Sequence, residues 1–101
     1  SGGGRMITGK QRAFLKGLAQ KREVSLIIGK NGCSESVIEQ LEQILEKREL
    51  VKIKLLDNVT EDKEEIVQRI LDSLQADFVQ FIGSKFTFYR PAKEPKIELP
   101  K

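Results

Sequence analysis

Two glycines three apart, Gly29 and Gly32, enclose Lys30 and Asn31 and join an apolar run, "VSLII", to a segment of helical periodicity beginning near Ser34. The loop therefore delivers the chain onto a helix N-terminus, where backbone N–H groups lack intrahelical partners and the macrodipole is positive. Glycine at both ends removes Cβ atoms, so a phosphodiester could approach the backbone closely and the turn could take positive φ. Lys30 adds a mobile cation, and Asn31 can donate to an oxygen or tolerate the turn. The chemistry on offer is anion binding. The spacing is neither the nucleotide-binding P-loop, which needs four residues between its glycines and a following Lys-Ser/Thr, nor the G-x-G-x-x-G dinucleotide turn.

A ligand larger than one phosphate would run from this loop along the basic segment upstream, which carries Lys10, Arg12 and Lys16. An RNA backbone is such a ligand. The charge distribution agrees with that direction. Residues 1–32 hold seven Lys/Arg against one acid, residues 33–82 hold six against twelve, and residues 83–101 hold five against two. The net charge of +3 thus hides basic ends around an acidic middle, as if one face met a polyanion and another met water or a basic protein.

Other chemistries find little support. The chain contains no histidine and one cysteine, Cys33, which removes the commonest general base and metal ligand and excludes an internal disulfide. Glu61, Asp62, Glu64 and Glu65 cluster at the start of a helical segment, where carboxylates complement the dipole. We expect no enzyme, no metal and no cofactor. Cys33 reads as a small packing residue, although a helix N-terminus could lower its thiol pKa.

The elements that position these residues follow from periodicity. Phe14, Leu15 and Leu18 mark an amphipathic helix over 8–21 with Thr8 as N-cap. "VSLII" at 24–28 reads as a strand covered on both faces. Val37, Ile38, Leu41, Ile44 and Leu45 make a second helix over 34–47, capped by Ser34. "LVKIKLL" at 50–56 alternates, with Val51, Ile53 and Leu55 on one face and Lys52 and Lys54 on the other. A third helix runs from Thr60 to about Gln75 through Ile66, Val67, Ile70, Leu71 and Leu74. "DFVQFIGSKFTFY" then places two strands around a type II′ turn at Gly83-Ser84. Alternation sends Phe86 and Phe88 to the core and leaves Tyr89 as the one candidate to stack on a base.

The expected order is α-β-α-β-α-β-β: an α/β, two-layer sandwich with a four-stranded mixed sheet and three helices. One domain spans 6–90. Residues 1–5 read as a cloning remnant before Met6, and 91–101, with three prolines, as an extended or flexible tail. No apolar run reaches the ~20 residues of a membrane span, so a cytoplasmic monomer is expected.

Taken in order, "ITGKQRAFLKGLAQ", "IIGKNG", "VIEQLEQILEKRELVKIKLL" and "FIGSKFTFYR" make the chain resemble the CRM domain (chloroplast RNA splicing and ribosome maturation) family in its stand-alone bacterial YhbY-type form, over about residues 7–90. The resemblance implies an RNA-binding α/β fold like the C-terminal domain of translation initiation factor three, acting in bacteria on precursors of the large ribosomal subunit. In that family the G-x-x-G loop is likened to the backbone-clamping loop of KH domains, which maps here onto Gly29, Lys30, Asn31 and Gly32. The family's basic first helix maps onto Lys10, Gln11, Arg12 and Lys16, and its terminal basic residue onto Arg90. Gln20, Glu23 and Cys33 depart from the family pattern of histidine, proline and an aliphatic residue.

The expectation is an RNA-binding accessory factor touching structured ribosomal RNA through Gly29, Lys30, Asn31, Gly32, Lys10, Arg12, Lys16 and Arg90. Ribosomal proteins are possible further partners. The alternative is a protein-interaction module whose acidic segment, Glu35 through Asp72, docks a basic ribosomal protein.

Overall fold

The computed structural model describes residues 7–30, 32–92 and 97. Its elements follow the expected order: α1 (Gly9–Gln20), β1 (Leu26–Ile28), α2 (Glu35–Arg48), β2 (Leu50–Leu55), α3 (Lys63–Leu74), β3 (Asp77–Ile82) and β4 (Lys85–Tyr89). Helix starts are set by short polar side chains. Thr8 accepts from Gln11 N while the Gln11 side chain accepts from Thr8 N, closing a capping box on α1. Ser34 caps α2 as expected. For α3 the cap is Asp62, accepting from Glu64 N at 3.0 Å, so the helix begins at Lys63, later than Thr60, and Glu61 is left outside it for another use.

The strands form one sheet in the order β1-β2-β4-β3. β1 is parallel to β2, and the other two pairings are antiparallel. Gly83 has positive φ and Ser84 does not, as a type II′ turn between β3 and β4 requires. Val51, Ile53 and Leu55 on β2 and Phe86 and Phe88 on β4 turn one face of the sheet toward α2 and α3, where they pack with Leu41, Leu45, Ile66 and Ile70. The Phe86 and Phe88 rings lie 5.0 Å apart inside this core, as alternation predicts.

α1 does not join that layer. Leu15 and Ala19 pack with Leu50, Val79 and Tyr89, residues that alternation places on the opposite face, so α1 forms a single-helix third layer across the two-layer sandwich. Leu50 and Tyr89 supply apolar surface on a face that carries lysines elsewhere, and this surface is what the helix covers. Two expectations change as a result. Phe14 is 40% exposed, off the buried Leu15–Ala19 stripe. Tyr89 is 3% exposed beneath α1, which removes it as a stacking platform for bases.

The tail is anchored at Ala92 and Ile97. Glu49 is fully buried, and its carboxylate accepts from Ala92 N at 3.0 Å and Ile97 N at 2.9 Å. Ile97 packs on the α1 cluster, so the carboxylate helps hold that helix against the sheet. Tail positions 93–96 and 98–101, and the proposed remnant at 1–5, lie outside the described residues. Among those described, no helix is long and apolar enough to cross a membrane.

Candidate nucleic-acid interface

The glycine loop sits at one end of the sheet, just after Ile28, whose partner on β2 is Leu55. Gly32 N donates to Gly29 O at 2.9 Å, closing a tight turn. Gly32 has φ +70, and a Cβ there would run into Glu61 Oε1, so glycine is required twice over. At Gly29 a Cβ would meet only the Leu56 Cδ1 tip at 3.3 Å and Asn58 Oδ1 at 3.6 Å. Gly32→Ala is therefore expected to lower stability by about 2 kcal/mol, and Gly29→Ala by no more than about 0.5 kcal/mol, as read from urea unfolding.

Glu61 brings a carboxylate to the loop, but it is not left as a bare charge. Arg69 pairs with it at 3.0 Å and also donates to Cys33 O at 3.2 Å, tying the loop to α3. The side of the loop facing α3 is thereby occupied by an ion pair. Lys30 is exposed; Asn31 lies outside the described residues. Cys33 is buried, and burial pushes its thiol pKa up, opposed by Arg69 and reinforced by Glu61. The thiol is a packing group, and the lowering that a helix N-terminus could bring does not prevail.

On α1, Lys10 and Lys16 are exposed. Arg12 is half-buried with its guanidinium 6.0 Å from the Phe78 ring, so part of its role is to hold the helix on the sheet edge. Lys52 points to the same face as α1 and donates to Ala19 O at 3.4 Å, capping the helix C-terminus. Arg22 donates to Arg48 O and Leu50 O, the corresponding service for α2.

Arg90 is not brought to the loop. The register pairs Tyr89 with Leu50 and Lys85 with Lys54, so Arg90 follows β4 at the end of the sheet opposite Gly29. Its guanidinium donates to Leu74 O at 3.1 Å and pairs with Glu46 at 3.1 Å, joining the C-terminal ends of α2 and α3. Arg90→Ala is expected to cost about 2 kcal/mol of stability while changing RNA affinity by no more than about twofold, less than one lost phosphate contact. Paired thermal melts and binding titrations check it.

Sequence reasoning left one part of the glycine-loop end unread. β1 is an edge strand, and Ile27 is 58% exposed, where full coverage was expected. Ile82 at the hairpin is 67% exposed. The alternation in "LVKIKLL" and "FIGSKF" already placed Lys54 and Lys85 away from the core; what it could not supply was which face α1 covers.

The CRS1 / YhbY (CRM) domain matches residues 7–90. The chain is 38% identical over 96 residues to "Probable RNA-binding protein YqeI" of Bacillus subtilis, covering 94% of this chain and 100% of that one. It is also 38% identical over 95 residues to an "RNA-binding protein" of Haemophilus influenzae, covering 94% and 96%. Among solved structures, Staphylococcus aureus SAV1595 superposes with a TM-score of 0.78 at 40% identity, over 94% of this chain and 100% of that chain. Matched across nearly all its length in sequence and in fold, the chain belongs to the CRS1 / YhbY (CRM) domain family of RNA-binding proteins.

Proposed function

We propose that this protein binds the ribose-phosphate backbone of structured ribosomal RNA through Gly29, Lys30, Asn31 and Gly32 together with Lys10, Arg12 and Lys16, and assists assembly of the large ribosomal subunit. The observation that carries the reading is the loop itself. Gly32 turns the chain onto the N-terminus of α2, the neighbouring acid is already paired with Arg69, and Lys30 is exposed. An anion there gains oriented backbone amides and a cation together. Arg90, at the other end of the sheet, serves the fold. Phosphate contacts fix position without reading sequence, so affinity falls steeply with salt and base preference is modest.

The experiment is crosslinking in cells followed by mapping of the bound RNA. Large-subunit ribosomal RNA precursors are the expected catch. Recovery of one protein partner that resists nuclease treatment, with no RNA, contradicts the reading and favours docking through the acidic helices.

A further inference from the structure

One row of the sheet breaks a local rule. Ile27 pairs with Lys54, Lys54 with Lys85, and Lys85 with Ile82. Partners in register share a face, so these four side chains line up across the whole sheet, on the α1 side but beyond the residues that α1 covers. Like charges directly opposite on neighbouring strands are destabilising, yet Lys54 and Lys85 are such a pair. At both ends of the row stands an isoleucine more than half exposed. Neither feature serves the fold, and a local conflict without structural gain points to function.

At the adjacent row, Lys52–Thr87–Gln80, coverage begins, since Thr87 is fully buried and Lys52 donates to Ala19 O of α1. Neither row contains a carboxylate, whereas the exposed acids Glu39, Glu42, Glu64 and Glu65 belong to α2 and α3 on the other side. The occupant of this face is therefore an anion with apolar surfaces. The row spans about 14 Å, three strand spacings, and it adjoins the glycine loop, because Ile27 is three residues from Lys30.

We propose that the uncovered half of the sheet holds an unpaired segment of RNA, with Lys54 and Lys85 on its phosphates and Ile27 and Ile82 against base or ribose faces. This rests on the RNA-binding reading above and adds a preference for single strands next to the loop. Isoleucine offers no hydrogen bond, so its partner must be the flat face of a base or the apolar edge of a sugar. A duplex keeps its base faces stacked inside and presents phosphates and hydroxyls; a single strand exposes them.

The test titrates two RNAs at about 0.1 M salt: an unstructured oligouridylate of about 12 nucleotides and a blunt duplex of about 16 base pairs. The triple variant Ile27→Thr, Lys85→Thr, Ile82→Thr keeps β-branched side chains on the strands. It is expected to lose about tenfold for the oligouridylate and less than about twofold for the duplex, with no fall in melting temperature. Lys85→Thr alone removes the like-charge pair, so it should melt no lower than wild type and lose about fivefold for the single strand; it decides the matter if the triple variant fails to fold. Unchanged affinity for the oligouridylate, or equal losses for both RNAs, overturns the proposal while leaving the loop reading intact. A wild-type protein that binds neither RNA overturns both. A wild-type dimer that the triple variant converts to monomer, with RNA affinity preserved, assigns the face to a second copy of the chain instead.

Discussion

Reversing Lys16 and Lys30 together to glutamate is expected to reduce RNA affinity by at least about 30-fold at 0.1 M salt while leaving the melting temperature close to wild type. Each phosphate contact contributes about 0.7 to 0.9 to the slope of log K against log salt, so losing two is worth about 1.5 decades at that ionic strength before any repulsion from the new carboxylates. Both side chains are exposed, and neither helps to close a helix end or hold the tail. This is why they separate binding from folding better than Arg12, whose guanidinium lies against Phe78. The measurement is a fluorescence titration at several salt concentrations. The variant should show a slope shallower by about 1.5; an unchanged slope means these cations do not touch phosphate.

The largest effect on stability is expected at Glu49. This residue ends α2 with φ +65, receives Arg90 N on its carbonyl, and binds Ala92 N and Ile97 N with its buried carboxylate. Glu49→Ala keeps the strained backbone and deletes the carboxylate that accepts from two amides. Hydrogen bonds to charged groups are worth about 1.5–3 kcal/mol each, so a loss of about 3 kcal/mol is expected, or more than about 10 °C in melting temperature for a domain of this size. The effect should reach binding as well, because Ile97 packs on the cluster that seats α1. Glu49→Gln retains one acceptor oxygen and should lose about half as much. Calorimetry of the three proteins orders them.

Why the strand and helix pattern was readable and the layering was not can be seen at particular residues. Thr8, Ser34, Gly83 and the alternation from Val51 to Leu55 act through their own backbone and nearest neighbours, so their roles are written locally. The face taken by α1 is not local. It depends on Leu50, Val79 and Tyr89, three residues from three strands that become one apolar patch only after the sheet assembles. Once α1 lies there, Tyr89 is buried, while Ile27 and Ile82 remain open.

The candidate site divides the same way. Gly29 to Gly32 is a contiguous motif whose physics is that of a helix N-terminus, and it was legible. Arg90 follows an aromatic in the family pattern, but whether it meets RNA or a helix carbonyl depends on which end of the sheet β4 leaves by. The pairing of Glu61 with Arg69 beside Gly32 joins the segment before α3 to a residue two turns along it and to a loop about thirty residues upstream. No periodicity carries that information.

On this reading RNA runs from the glycine loop, at the Ile28–Leu55 end of the sheet, to the exposed cations of α1, which packs on Leu50 and Tyr89 toward the other end. The most direct measurement is a titration of isotope-labelled protein with RNA followed by amide chemical shifts. The account predicts that shifts concentrate at Gly29 to Gly32 and around Lys10, Arg12 and Lys16, while the amides of α3 and the region of Arg90 stay in place. Shifts confined to the acidic faces of α2 and α3, with the loop unmoved, would contradict it.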